Sequence, residues 1–451
     1  MLDRLETTLR VRGGARLEGS VATHGAKNAA LPIMAAALLA KGTVTLRHVP
    51  RITDVSVMWS LLEALGARIR YEGDNTVTID ASNVATFRAP YALVRKLAAS
   101  FDVVGPLLGR FGQAEVPLPG GCVLGTRATD MHEQAFLALG CDVRNAHGYL
   151  IAKSQQSRLR GAPIEFRLPS VGATKNAMLA AVLAEGTTTL GNAAMEPEVA
   201  DLANFLIAMG AKIAGAGSDT IVIDGVRELH GVEYEIIPDR LVTGTLLLAG
   251  AVTRGDVTVK RARPDHLETF LLKLQECAVE VTLGADWIRV QAAAITGGTD
   301  ILTAPHPGFP TDLQPQMVSF LCTVPGTSVV EESIFNARFS YVNELMRMGA
   351  DVKVAMESNA AVIKGVTQLS GAPVEAPDIR AGAALVIAGL AAAGETEIIG
   401  LEYIDRGYER LEESLADLGG QVQRSSGITP LIEPASLFET REYPRVSSGA
   451  G

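Results

Sequence analysis

The sequence is short of several things at once, and each shortage closes off a class of protein. Only four cysteines, at 122, 141, 277 and 322, are spread over 451 residues. Their spacing matches neither a disulfide framework nor a metal-ligand motif, which predicts a chain without a metal in a reducing cytoplasm. Positive charge is in the minority, with 40 Lys and Arg against 50 Asp and Glu and a formal net charge of -10. That balance argues against wholesale binding to nucleic acid or an anionic membrane, and a small anionic ligand would need a local cluster of cations. Long apolar runs are missing as well. The stretch from Leu246 to Val252 is too short to cross a bilayer. The opening Met1-Leu2-Asp3-Arg4-Leu5-Glu6 holds no apolar run of the kind a signal peptide needs.

What the chain has instead is a repeat. Hydrophobic residues make up 47% and charged residues 20%, which suits two or three α/β domains with ample core. Lys27 to Leu39 reads as a helix and Thr43 to Leu46 as a strand. Asp54 is placed to cap a second helix, which ends in Leu65-Gly66-Ala67. Arg68-Ile69-Arg70 and Thr76 to Asp80 then flank a turn at Glu72-Gly73-Asp74-Asn75. The same order returns from Ala173 to Asp224, more weakly from Arg95 to Ala152, and again from Asp239, Asp312 and Asp378. A glycine after the second helix falls at 66, 140, 210, 349 and 419, so the gaps are 74, 70, 139 (two units) and 70. Such a period is too long for an ordinary solenoid. Six units predict an α/β protein of two three-fold domains, sheets outside and helices inside. Residues 443–451, ending Ser447-Ser448-Gly449-Ala450-Gly451, read as a disordered tail.

One loop interrupts the second unit: Pro117-Leu118-Pro119-Gly120-Gly121-Cys122-Val123-Leu124-Gly125-Thr126-Arg127. Its prolines and glycines suit neither helix nor strand. It reads as an exposed lid carrying one thiol, with a guanidinium five positions on that favours the thiolate. On the loop alone, an incidental cysteine fits as well.

With that loop, several motifs resemble the enolpyruvyl transferases: Gly25-Ala26-Lys27-Asn28-Ala29-Ala30-Leu31-Pro32, Phe309-Pro310-Thr311-Asp312, Ala337-Arg338-Phe339, Asp378-Ile379-Arg380-Ala381 and Ile404-Asp405-Arg406-Gly407-Tyr408-Glu409-Arg410. The resemblance runs from about Gly14 to Arg424. It implies two inside-out α/β barrels, each of three βαβαββ-type repeat units, with the active site in the cleft between them. A double crossover before Lys27 and near Ile236 would then give one domain of residues 1–26 plus 237–442 and another of residues 27–236 carrying the Cys122 loop.

The resemblance also implies the reaction. The enolpyruvyl group of phosphoenolpyruvate passes to a hydroxyl by addition and elimination, phosphate leaves, and phosphoenolpyruvate is a co-substrate with no cofactor or metal. Such chemistry needs cations for a carboxylate and a phosphate, an acid for C3 and a base for the hydroxyl. By resemblance Lys27 and Asn28 contact phosphoenolpyruvate, and Arg127, Arg380 and Arg406 hold its anionic groups, as planar guanidinium forks do well. For Arg406, the plainer alternative is a surface ion pair with Asp405 or Glu409. Cys122 matches the loop cysteine that acts as general acid and is alkylated by fosfomycin. Asp312 matches the carboxylate that takes the hydroxyl proton, although Thr311 or Asp312 can equally cap the following helix. Arg338 and Asp378 are supporting residues. The repeated dipeptide Lys175-Asn176 shows that Lys27-Asn28 could also be structural.

Departures gather on the acceptor side. Arg127, Ala128, Thr129, Asp130, Met131, Ser170, Val171, Gly172, Asp312 and Ile334 match the positions that bind a uridine nucleotide. Yet Ala98 stands where the family carries an arginine, Ala128 where it has a proline, and Leu168 where it often has a lysine. The acceptor side has thus lost two cations, and a charge-assisted hydrogen bond is worth roughly 1.5–3 kcal/mol, or about one to two decades of affinity for each. The expected acceptor is the 3-hydroxyl of UDP-N-acetylglucosamine in peptidoglycan synthesis. The alternative is UMP or another uridine nucleotide in nucleoside-antibiotic biosynthesis, and a non-catalytic relative is the third reading.

Overall fold

The fold is described from a computed structural model, for residues 7–119 and 129–425. The unit recurs with the four strands of the βαβαββ pattern that the resemblance implies, one more than the local helix and strand signals of the first unit mark. In the third unit the strand Thr187–Gly191 pairs antiparallel with Thr220–Asp224, which pairs with Lys212–Ala214. The short strand Pro163–Glu165 adds a parallel edge. The same order of four strands builds the sheet of the fifth unit from Ile301–Leu302, Thr327–Glu331, Ala360–Lys364 and Asp351–Ala355. Alternation of buried and exposed residues along Thr327–Glu331 shows why these segments are strands: Ser328 and Val330 face the core while Thr327 and Glu331 face water.

The extra strands close rings. Glu233–Glu235, at the end of the third unit, runs parallel to Thr43–Arg47 of the first. Near the N-terminus, Leu9–Arg12 fills the missing central strand of the sixth unit, and Glu18–Ala22 lies parallel to Asp256–Lys260 of the fourth. Neighbouring units are thereby stitched together, and no unit has to leave its apolar face uncovered.

Helices fill the interior, as predicted. Arg240–Val252 is buried at all its positions, and it packs with Gln314–Leu321 and Ile379–Ala391. In the other half, Val104–Phe111 packs on Val171–Ala181, and Lys27–Ala36 packs on the turn Ala98–Val103. A helix buried all round must be small and apolar, which explains the Ala- and Gly-rich segments. The buried apolar side chains form two clusters, one drawn from Ala26 to Ile236 and one from Leu9 to Leu17 together with Leu241 to Val422. Between them the chain crosses twice side by side, with Ala26 N–H donating to Ile237 O (2.7 Å) and Asp239 N–H to His24 O (2.9 Å). Among the described residues no helix is long and apolar enough to cross a membrane.

Candidate active site

The crossover builds the first part of the site. Lys27 opens its helix without a capping side chain, because Ala26 precedes it. Its N–H donates instead to Asp239 Oδ2 (3.0 Å), while Asp239 Oδ1 accepts from Leu241 and Val242 N–H at the start of Arg240–Val252. One carboxylate therefore anchors the first turns of two helices, one from each core.

The lysine side chain then meets a residue whose role the sequence reading mistook. Asp54 does not cap its helix: the N-cap position of Thr53–Leu65 belongs to Ile52, and no side chain caps it. Asp54 is buried, with Oδ2 2.6 Å from Lys27 Nζ and Oδ1 accepting from Arg406 Nε at 2.8 Å. Nor does Arg406 pair with Asp405 or Glu409. Asp405 accepts from Arg424 at 2.7 and 2.8 Å. Glu409 accepts from Arg51 N–H (2.9 Å) and Asn75 Nδ2 (3.1 Å) of the other half.

A second carboxylate gathers two more cations. Asp312 Oδ1 accepts from Arg338 (2.8 Å) and Oδ2 from Arg380 (3.1 Å). Neither Thr311 nor Asp312 caps a helix, since Pro310 holds that position without a side-chain bond. Thr311 instead accepts from Arg338 (3.2 Å) and donates to Glu332 Oε2 (2.8 Å). The other oxygen of Glu332 accepts from the N–H groups of Ile334 (2.9 Å) and Phe335 (3.1 Å). Glu332 is a positioning group that the sequence reading passed over. Asp378 caps Ile379–Ala391 through Arg380 N–H (2.8 Å) and Ala381 N–H (3.0 Å), which aims Arg380 at Asp312 with its guanidinium 5.9 Å from the Tyr408 ring centre.

Electrostatics tie these groups into one neighbourhood. Burial lowers the Lys27 ammonium below its ordinary value; Asp54 opposes that, while Arg380 and Arg406 add to it. Burial would raise Asp312, but Arg380 and Arg338 together hold its carboxyl well below the usual carboxylate range. Four cations, Lys27, Arg338, Arg380 and Arg406, share two carboxylates directly. Asn28 stands beside them half-buried, and among the described residues its side-chain amide has no hydrogen-bond partner.

The acceptor-side residues fall into two groups. Thr129, Asp130 and Met131 begin the helix region Asp130–Ala138, and Ser170, Val171 and Gly172 begin Val171–Ala181. These starts lie together: a Cβ on Gly172 would come to 3.1 Å from the His132 ring, a contact tight enough that the ring would have to shift. Ser170 Oγ accepts from Ala173 N–H (3.3 Å) as a helix cap. Arg167 reaches Asp130 at 3.3 Å, while Leu168 is exposed. Ile334, half exposed, sits instead with the Asp312 group through Glu332. Cys122, Arg127 and Ala128 lie outside the described residues, as does the 443–451 tail. Burial pushes the other three thiols, Cys141, Cys277 and Cys322, up to about 12, so they are inert at neutral pH. Among the described residues no group of three His, Cys, Asp or Glu is placed to hold a metal ion.

Comparison with known proteins bears on this geometry. The family model for EPSP synthase (3-phosphoshikimate 1-carboxyvinyltransferase) matches residues 11–415. A UDP-N-acetylglucosamine 1-carboxyvinyltransferase of Gloeobacter violaceus is 48% identical over 95% of this chain and 93% of its own. Another, from Carboxydothermus hydrogenoformans, is 49% identical over 92% of this chain and 99% of its own. Among solved structures, the enolpyruvyl transferase NikO from Streptomyces tendae superposes with a TM-score of 0.83 at 28% identity, covering 93% of this chain and 99% of that one. With its two α/β halves of repeated units and a cation-rich site where they meet, the chain belongs to the EPSP synthase family of enolpyruvyl transferases.

Proposed function

We propose that this protein transfers the enolpyruvyl group of phosphoenolpyruvate to the 3-hydroxyl of UDP-N-acetylglucosamine and releases phosphate. One observation carries the phosphoenolpyruvate half: four cationic side chains converge on only two carboxylates. The nearby carboxylates of Asp239 and Asp378 are occupied with backbone amides. A small polyanion is the ligand that such an excess of cations suits. Lys27, Arg380 and Arg406, with Arg127 from the loop, would hold its carboxylate and phosphate, and Asn28 would donate its unpartnered amide.

In this reading the acceptor oxygen bonds to C2 of phosphoenolpyruvate as a proton goes to C3, with Cys122 the candidate acid. The tetrahedral adduct then expels phosphate and returns the C3 proton, so the enol ether keeps the double bond. Asp312 is the candidate base. Held down by two arginines it is a weak one, and an anion that draws Arg380 away would raise its basicity. No cofactor enters the sequence of steps. The domain division follows the two cores, with 27–236 as one domain and 1–26 plus 237–442 as the other, and the reaction belongs in the cytoplasm, where phosphoenolpyruvate is made.

The second reading, UMP or another uridine nucleotide as acceptor, is favoured by Ala98 and Leu168, which leave the acceptor side two cations short. Phosphate release from phosphoenolpyruvate, with UDP-N-acetylglucosamine, UDP and UMP offered separately, decides between them. Turnover with the UDP-sugar alone supports the first reading. Turnover with UMP alone replaces it, and no release with any of the three rejects both.

A further inference from the structure

Asp54 is buried, belongs to the same core as Lys27, and yet receives Arg406 from the other core. Around it the two halves are laced together. Thr53 N–H donates to Asp405 O (3.0 Å), and Arg51 N–H and Asn75 Nδ2 donate to Glu409 (2.9 and 3.1 Å). We propose that Asp54 is a positioning residue that holds Lys27 and Arg406 on one point across the cleft, and yields both cations to the substrate anion when it arrives. The proposal rests on the reading of phosphoenolpyruvate as that anion.

Three features support it. A carboxylate serving only to tie the halves together would need Arg406 alone, but the second oxygen of Asp54 stands 2.6 Å from Lys27 Nζ. Lys27 faces two further cations, Arg380 and Arg406, and a carboxylate, Asp239, that is bound to backbone amides. Asp54 is therefore the group that favours the charged ammonium against burial and like charge. Finally, a fixed internal counter-ion keeps the cations from collapsing onto other carboxylates, so an incoming anion finds them already aimed.

Asp54→Asn keeps the shape and removes the charge. The alkaline limb of kcat/KM for phosphoenolpyruvate should move to lower pH by about one unit or more, the usual effect of removing a counter-charge at this distance. KM for phosphoenolpyruvate at pH 8 should rise about tenfold, with kcat at pH 6.5 changed only a few-fold. Asn75→Ala, which loosens the same seam without touching Lys27, should leave that limb in place. Should the asparagine variant not fold, Asp54→Glu carries the test: a retained limb with a raised KM supports the proposal, and an unchanged KM overturns it. A normal limb in folded Asp54→Asn, or the same shift in Asn75→Ala, also overturns it. Failure of the wild-type protein to bind phosphoenolpyruvate by calorimetry would instead reject the proposed function, so the two failures are separable.

Discussion

The same dipeptide opens the first helix of the first and third units, and the two copies do different work. Lys27 and Lys175 are equally buried, and each stands against an aspartate, at 2.6 Å from Asp54 and 2.8 Å from Asp102. Asp102 serves one cation from its own core; Asp54 serves two, one of them from the opposite core. The asparagines diverge further. Asn176 accepts from Gly105 N–H (2.9 Å) and donates to Phe101 O (3.3 Å), with His132 Nδ1 also 3.3 Å from its Nδ2. Among the described residues the amide of Asn28 has no such partner. A residue whose hydrogen bonds are all spent inside the fold contributes to stability, while one with capacity left over at a cleft is free for a ligand. Sequence position does not separate the copies and burial separates only the asparagines, Asn28 being half-buried and Asn176 fully buried; the surroundings separate both residues.

Replacing each lysine by methionine breaks the comparison most forcefully. Lys27→Met should cost roughly 100- to 1,000-fold in kcat/KM for phosphoenolpyruvate, the scale of losing a buried charged contact. Lys175→Met should leave turnover per folded molecule within a few-fold of wild type. Its loss should appear in stability instead, at about 3–5 kcal/mol, because Asp102 would be left buried and unpaired. Denaturant unfolding checks this, and adding Asp102→Leu should recover most of the loss. Equal damage to turnover from both lysine variants would mean that the two pairs are not distinct in kind.

The asparagines offer a smaller effect of the same kind. Asn176→Ala strands the buried N–H of Gly105 and should cost about 2 kcal/mol of stability, with KM for phosphoenolpyruvate unchanged. Asn28→Ala should leave the unfolding midpoint in place and raise that KM about tenfold, the value of one charge-assisted hydrogen bond.

Why was this difference not legible beforehand? The repeat was, because its signals are local: glycines after helices, β-branched strands and Ala-rich interior helices. Ring closure was not, since Leu9–Arg12 pairs with a strand almost four hundred residues away in sequence and nothing local marks that partner. Asp54 was misread for a physical reason. An aspartate at the start of a helix is the ordinary choice for a cap, and the chain leaves the cap position to Ile52 so that the acid can point into the cleft. One signal was available in the repeat itself. Asp54 stands twelve residues before Gly66, and Glu198 twelve before Gly210. Glu198 is likewise a buried acid in the first turn of its helix, and it receives Arg240 of the opposite core through two bonds of 2.9 and 3.2 Å. Aligning the units sets the two acids at one position of the repeat, and the structure gives each a partner from the opposite core. Cys122 and Arg127 rest on motif alone, whereas the ion pairs around Asp54 and Asp312 were visible only in the geometry.

The subtlest way to sharpen the comparison is a pH profile. Burial, Arg380 and Arg406 hold the folded Lys27 ammonium below the ordinary lysine range despite Asp54. The wild-type profile for phosphoenolpyruvate should therefore fall on its alkaline side before about pH 10.4, the value of an unperturbed lysine. The sign for stability is opposite. Between the depressed folded value and the ordinary unfolded one, the folded chain binds fewer protons at Lys27 than the unfolded chain does. This site therefore makes the fold more stable as pH rises through that window. Activity should thus be lost at a pH where Lys27 itself does not favour unfolding, which calorimetry in parallel with kinetics can resolve. Asp102→Asn, which removes the counter-charge of the other lysine, should leave the alkaline limb where it stands in the wild type. Movement of that limb would show that the Lys175 pair reaches the cleft after all.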